Sequence, residues 1–332
     1  MMLPLVSIIT PSLNQVKFIE KTILSVMKQE YPHIEHVIID GGSTDGTIDV
    51  LRKYQDKYNL RWLSEPDNGQ AEAINKGLTL AKGNIIGWLN SDDTYMNKTL
   101  MKVVEVFNSE NNVSWLYGDG YWVDEEGKVL YEYTAKQFDL TELVINGMFF
   151  PQPSMFIRSS LLHEVGLLDV NINTVMDYDY CLRLGLRTKG IYINSILATR
   201  RLHNDAKSAS SIEKFYEDTL YVLENFYCLS ELSNDILSIR KKAFSKAHLV
   251  GGYNLFLQGD KKKARKLLYK SIKLNPDIFS KNFISASILI LESLLNMNYL
   301  SPGHSRNKAI IKYAKEIGET NTNWWESTQE IA

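Results

Sequence analysis

The sequence has little cysteine: two residues in 332, Cys181 and Cys228. Neither stands in a CxxC pair, which argues against a disulfide framework or a structural zinc site and suits a reducing, cytoplasmic setting. An excess of one charge is also missing. Lys and Arg number 37 against 39 Asp and Glu, for a formal net charge of −2, so no global field draws the chain onto nucleic acid and any membrane or polyanion contact must be local. Long hydrophobic runs are absent too. The longest, from Phe283 to Leu295, is interrupted by Ser285, Ser287 and Glu292 and falls short of the ~20 residues that cross a bilayer. The opening MMLPLVSIITPSLNQ has no basic segment followed by an apolar one, so it reads as a first strand and not as a secretory signal. No GxGxxG follows that strand, which speaks against a Rossmann-type dehydrogenase.

What is present is enough apolar material, 44% of the chain, for a sizeable core and more than one module. Short β-branched or aromatic runs occur at Val6 to Thr10, Glu35 to Asp40, Leu60 to Leu63 and Ile85 to Leu89, each closed by polar residues. Helical faces lie between them: Phe18, Ile19, Thr22, Ile23, Val26 and Met27; then Ile48, Leu51 and Tyr58; then Ala71, Ile74, Leu78 and Ala81. Strands alternating with helices predict an α/β fold with a mainly parallel sheet covered on both faces, and ligands beyond the carboxyl ends of its strands. From Asn111 to Arg201 the pattern is mixed, with strands at Ser114 to Tyr117 and Val129 to Tyr133 and a helix from about Met176 to Leu186. After Ser211 only charged helices follow, at Lys214 to Phe226, Leu237 to Leu257 and Lys261 to Leu274. The expected division is therefore a catalytic domain over 1–210, in halves 1–110 and 111–210, and an all-helical extension over 211–332. Residues 247–276 resemble one tetratricopeptide-type hairpin, although a lone repeat cannot bury its own face. A helical extension packed on the catalytic domain or on a second copy of the chain is the simpler reading.

The polar residues that close the strands are the candidates for chemistry. Asp40 is followed by Gly41-Gly42-Ser43-Thr44-Asp45-Gly46, flexible backbone and free amides suited to a phosphate, or simply a strand-to-helix turn with its cap. Asn90-Ser91-Asp92-Asp93 follows the fourth strand. Adjacent carboxylates repel unless a cation or hydrogen-bond donors compensate, and a hard Mg²⁺ or Mn²⁺ would do so together with phosphate oxygens; a solvated turn is the alternative. In Met176-Asp177-Tyr178-Asp179, successive helical residues turn by ~100°. Asp177 and Asp179 therefore cannot both face one cleft, and one of them is a cap or the partner of Arg183 at i+4. His203 follows Arg200 and Arg201, a cationic setting that suits a diphosphate, and imidazole is an accepted metal ligand.

These motifs, VSIITPSLNQ, VIIDGGSTDGT, SEPDNGQAEAINKGLTLAKGNIIGWLNSDD, QPSMFIRSSLLHEVGLLD and MDYDYCLRL followed by His203, resemble in order those of family 2 glycosyltransferases, from about Val6 to Ser208. The nearest likeness is to members that assemble bacterial O-antigen and other surface polysaccharides. The resemblance implies a GT-A fold and a nucleoside-diphosphate sugar as donor. By it, Thr10, Pro11 and Ser12 would hold the nucleoside with Asp40, alongside Asn14, Gly42 and Ser43. Glu65, Asp67, Gln70 and Asn75 would line the base and ribose or steady the loop. Asp92 and Asp93 resemble the DXD element that holds a divalent metal, with Asp92 also on the donor and His203 joining the metal. Asp177 matches the family's general base. Two positions depart: Asn90 stands where a first aspartate is usual, and Met176 replaces the glutamate before the base.

The implied reaction is an inverting transfer to a hydroxyl of a glycan or lipid-linked glycan, the acceptor lying over 147–169. Phe149, Phe150 and Phe156 could stack on a sugar there, with core packing expected of at least two of them. A catalytically degenerate domain serving as a binding scaffold is the alternative. A sugar nucleotidyltransferase is weaker, because ITPSLNQ lacks the glycine-rich basic loop that grips a triphosphate. A lipid-linked acceptor would bring the chain to the inner face of the membrane, where Lys261, Lys262, Lys263, Arg265 and Lys266 could meet anionic lipid, or could be a solvated helix face. Pairing of two copies through the helical extension is left open.

Overall fold

A computed structural model describes residues 3–109, 112–203 and 212–279. The first four runs become strands β1 (Val6–Ser12), β2 (Ile34–Asp40), β3 (Leu60–Ser64) and β4 (Ile85–Trp88), separated by helices α1 (Ile19–Met27), α2 (Thr47–Tyr54) and α3 (Gln70–Leu80). They pair in parallel in the order β3-β2-β1-β4. Alternation along β1 sorts its side chains. Val6 and Ile8 face one core with Val26 of α1 and with Leu100, Val103 and Phe107 of α4 (Thr99–Ser109), whereas Ile9 faces Ala73 of α3. Helices thus cover both faces, and each buried Ile of the sheet contributes about 1.5–3 kcal/mol. On α3 the contact face is built of small residues. At Gly77 an added Cβ would collide with Ile9, so only glycine lets this helix lie so close to the sheet.

The second half of the sheet is mixed. It adds β5 (Thr94–Tyr95), β6 (Trp115–Val123), β7 (Val129–Tyr133), β8 (Phe156–Arg158) and β9 (Ile191–Arg201). The full order is β3-β2-β1-β4-β8-β6-β9-β5, and β7 pairs antiparallel with the later part of β6, off this path. β8 joins antiparallel between β4 and β6, and β9 runs parallel to β6. The sequence reading contains no β9, because Asn194 and Ser195 interrupt its apolar pattern. Two register shifts against β6 around Asp119 absorb that interruption. Between these strands lie α5 (Leu140–Asn146), α6 (Ser159–Val165) and α7 (Met176–Arg187).

The extension begins with α8 (Ile212–Tyr227), followed by α9 (Asn234–Ser238), α10 (Arg240–Leu257) and α11 (Lys261–Leu274). Its buried Val222, Leu223, Phe226, Ile236, Ala243 and Ala247 share one core with Trp115, Tyr117, Tyr178 and Leu184 of the catalytic body. The expected boundary near 205–215 overlaps residues 204–211, and the apolar stretch from Phe283 to Leu295 lies beyond 279; both fall outside the described residues. Among the described residues no helix is long and apolar enough to cross a membrane.

Of the polar contacts that tie the extension to the rest of the chain, the one at Asp218 is buried. The buried Asp218 of α8 accepts from Asn173 N, Thr174 N and the Thr174 hydroxyl, each at 2.9 Å, and pairs with Lys214 at 3.0 Å. Burial alone would raise its carboxyl, but the bonds from Lys214, Asn173 and Thr174 outweigh it and hold the pKa below the usual value. Such a depressed carboxylate stabilises above its unfolded pKa and loses that contribution as pH falls through its folded one. Asp218→Ala should cost about 2 kcal/mol, because it strands two amides and a cation. Urea unfolding of the full chain checks this, and an unchanged midpoint would show that the contact contributes nothing.

Candidate active site

At the carboxyl ends of β1 and β2, the structure shows what holds the donor-side loops. Asp40 is fully buried and accepts from Gly42 N (3.0 Å), Ser43 N (2.8 Å), the Ser43 hydroxyl (2.5 Å) and the Ser64 hydroxyl (2.8 Å). Gly42 has φ 87°, a conformation that favours glycine. Asn14 crosses to the same loop: its N–H donates to the Ser43 hydroxyl at 2.7 Å, and its side-chain carbonyl accepts from Thr44 N at 2.9 Å. Asp40, Asn14, Gly42 and Ser43 are therefore brought together, and their side chains are largely spent on one another.

Thr10 turns inward, with its hydroxyl 2.9 Å from His36 Nε2 while His36 Nδ1 lies 2.6 Å from the Tyr58 hydroxyl. Burial lowers the His36 pKa to about 3. Pro11 is buried. Ser12 differs, because its hydroxyl is buried with no partner among the described residues, and a group in that state calls for an explanation.

The residues expected along the base and ribose separate. Glu65 pairs with Lys76 at 2.9 Å, which also pairs with Glu72 at 2.8 Å. Asp67 accepts from Gly69 N at 2.9 Å and lies against Gly41, where a Cβ would come within 2.8 Å of its carboxylate. Asn75 exchanges two 2.9 Å bonds with the backbone of Leu168, so it steadies the loop after α6. Gln70 reaches the acidic cluster through Asn90, 2.9 Å away.

Asn90 is the hub there. Its side-chain carbonyl accepts from Gln70 and, at 3.0 Å, from the Trp88 indole; its amide donates to Asp93 Oδ2 at 3.3 Å and to Gln152 Oε1 at 3.2 Å. A carboxylate at this position could not make those two donations. Asp93 is buried, and its Oδ1 accepts from Arg201 N at 2.9 Å. Burial, reinforced by the neighbouring charge of Asp92, pushes its carboxyl well above the usual range. Both oxygens of Asp93, expected among the metal ligands, accept bonds from the protein, from Asn90 and from Arg201. Asp92 points the other way. Its Oδ2 lies 2.9 Å from His203 Nε2, and the nearly fully buried His203 leaves Nδ1 without a partner, its ring 4.6 Å from that of Phe18. Among the described residues no group of three or more His, Cys, Asp or Glu is arranged to hold a metal.

Asp177 is the second residue of α7 and accepts from Tyr178 N at 2.9 Å. Crowding by protein atoms raises its pKa, while the charge of Arg200 and the bond from Tyr178 oppose the rise. Asp179 faces away and is held by Arg183 at 2.8 and 3.0 Å, the division of roles that helical geometry requires. Arg200 opposes the rise of the Asp93 carboxyl as well, and the backbone N–H of the next residue, Arg201, bonds Asp93 directly. The sequence reading treats Arg200 and Arg201 only as a cationic setting. Arg201 in fact donates to the carbonyls of Asp92, Asp124 and Glu125 at 2.8–3.0 Å and so clamps the cluster to β9. Gln152 and Trp88, also unread, fix Asn90. Phe149, Phe150 and Phe156 are all core residues, Phe150 stacking on Tyr117 at 4.0 Å, so none of them is open to a sugar.

Against known proteins, a model of glycosyl transferase family 2 matches residues 7–166. An uncharacterized glycosyltransferase of Mycobacterium tuberculosis is 30% identical over 196 residues, 58% of this chain and 74% of that protein. The chain belongs to the family 2 glycosyltransferases. Within this family it is also similar to a putative teichuronic acid biosynthesis glycosyltransferase, TuaG of Bacillus subtilis, at 43% identity over 105 residues, 31% of this chain and 41% of that protein. The fold is that of residues 1–349 of TarS from S. aureus, solved with UDP-GlcNAc, with a TM-score of 0.66 at 18% identity over 89% of this chain and 93% of that one. This glycosyltransferase therefore carries its cluster of Asn90, Asp92, Asp93, His203 and Arg201 at the strand ends of a GT-A-like sheet.

Proposed function

We propose that this glycosyltransferase moves a sugar, with inversion, from a nucleoside-diphosphate donor to a hydroxyl of a glycan or lipid-linked glycan in bacterial surface polysaccharide synthesis. The observation that carries the reading is the pairing of Asp92 with His203, 2.9 Å apart just beyond the end of β4. Likeness to TuaG supports the polysaccharide assignment, and likeness to a UDP-GlcNAc complex supports the donor class.

Asp92 and His203 fit a hard divalent ion. A carboxylate and an imidazole 2.9 Å apart present two ligands, and Mg²⁺ or Mn²⁺ characteristically takes few protein ligands and completes its shell with phosphate and water. When bound, such an ion supplies fixed positive charge beside the departing diphosphate. Asp93 is the anchor in this arrangement: by accepting from Arg201 N it fixes the turn that presents Asp92. Ser12, with its unpartnered hydroxyl, is the β1 group available to the donor, while Asp40, Asn14, Gly42 and Ser43 shape the loop beside it. Asp177 is the general base. Its carboxylate removes the proton of the acceptor hydroxyl as the new bond forms, and displacement from the face opposite the leaving group inverts the anomeric centre.

Donor turnover across UDP-, GDP- and dTDP-sugars, with Mn²⁺, Mg²⁺ or EDTA, tests this. Turnover should be confined to one nucleotide and should fall at least a hundredfold in EDTA, the loss of the leaving-group charge stabilisation typical of such sites. Binding without turnover under every condition would favour the scaffold reading.

A further inference from the structure

Arg200 and Arg201 are consecutive on β9, so their side chains leave opposite faces of the strand. Arg201 is consumed by backbone carbonyls and by the ring of Phe18, 5.3 Å from its guanidinium carbon. Arg200 makes no hydrogen bond or ion pair among the described residues; it lies over the indole of Trp122, 4.8 Å from the ring centre. Trp122 in turn stacks on Tyr131 (5.1 Å between ring centres, 27°) and Tyr133 (6.3 Å, 18°). The β6–β7 hairpin thus presents an aromatic wall carrying a cation. Two donors within that wall, Trp122 Nε1 and the Tyr131 hydroxyl, are buried and have no partner among the described residues. The Arg200 charge reaches the Tyr131 and Tyr133 phenols as well as Asp177.

An indole N–H and a phenol buried without acceptors cost free energy in a free-standing protein, and the half-buried Arg200 adds a guanidinium beside them. They are the donor types that a planar or tetrahedral oxyanion satisfies, with the Arg fork matched to two oxygens at once. The adjacent ring faces suit the apolar face of a sugar. We propose that Arg200, with Trp122 and Tyr131, forms an acceptor subsite for an anionic group, phosphate or carboxylate, carried by the acceptor glycan. This rests on Asp177 marking the acceptor side of the cleft. It implies a charged polymer or lipid-linked phosphate as the substrate class.

The test titrates the full chain by calorimetry with methyl glucuronide, glycerol phosphate and the neutral methyl glucoside, and separately with UDP, GDP and dTDP in Mn²⁺. In the wild type, an anionic probe should bind at least tenfold more tightly than the glucoside, and whether glucuronide or glycerol phosphate is preferred distinguishes carboxylate from phosphate. Arg200→Gln should bring that ratio to within twofold and leave nucleoside diphosphate affinity unchanged. Arg200→Lys, which retains charge without the fork, should lose at least threefold of the discrimination, and it carries the test should the Gln variant not fold. Equal binding of charged and neutral probes by the wild type overturns the proposal, as does discrimination that survives both substitutions. Loss of nucleoside diphosphate binding in place of discrimination also overturns it, by assigning Arg200 to the donor. Failure of the transferase reading looks different: wild type and variants alike then bind nucleoside diphosphate without turning a donor over, or bind none.

Discussion

Asp177→Asn should lower kcat by about a thousandfold, the middle of the range for a positioned general base, while leaving nucleoside diphosphate affinity within about twofold. The amide retains the size of the side chain and can still accept from Tyr178 N, so α7 should begin as before. Only the capacity to take a proton is lost. The pH profile provides the second readout. Burial raises the Asp177 carboxyl against the opposing charge of Arg200, and the base works only when deprotonated. In wild type, kcat/KM should therefore rise with pH along a limb displaced upward from the ordinary carboxylate value, and the variant should lack that limb. Equal loss of donor binding and turnover would instead make Asp177 a donor-binding or structural residue.

Asp92→Ala addresses the other half of the cleft. Removing an outer partner of a metal ligand commonly costs 10–100-fold in affinity, so loss of a direct ligand should weaken nucleoside diphosphate binding in Mn²⁺ by on the order of a hundredfold. Affinity in EDTA should hardly change. His203 should then be left buried beside Phe18 with neither ring nitrogen partnered, so His203→Ala is expected to lose the same metal-dependent increment. Calorimetric titration of both variants with and without Mn²⁺ separates this from a general disruption. An equal loss in EDTA would show that Asp92 shapes the loop and holds no ion.

Much of the fold is legible along the chain because its signals are local. β2 and β7 begin and end within a residue of the apolar runs that announce them, and α11 coincides with its expected span. Parallel pairing follows from the alternation of those runs with helical faces. β9 is not legible, since Asn194 and Ser195 break its pattern and only pairing with β6 on one side and β5 on the other makes it a strand. Among site residues, Asp177 and Asp179 could be divided in advance because the helix period separates them. The fate of Asp93 could not, because the amide that turns it inward belongs to Arg201, 108 positions away.

By itself, then, the amino-acid sequence determined an α/β sheet of the GT-A type, the family, and the strand ends at which carboxylates gather, since each of these depends on neighbours a few residues apart. Only the tertiary structure decided what most of these carboxylates touch. It paired Asp92 with His203 across 111 positions, buried Asp93 against β9, and tied Asp40 into its own loop. It also set Arg200 over the Trp122 ring. What a carboxylate touches depends on which donors surround it in space, and for Asp92 and Asp93 those come from the end of β9 and the residues just after it, which reach the cluster only when the sheet forms.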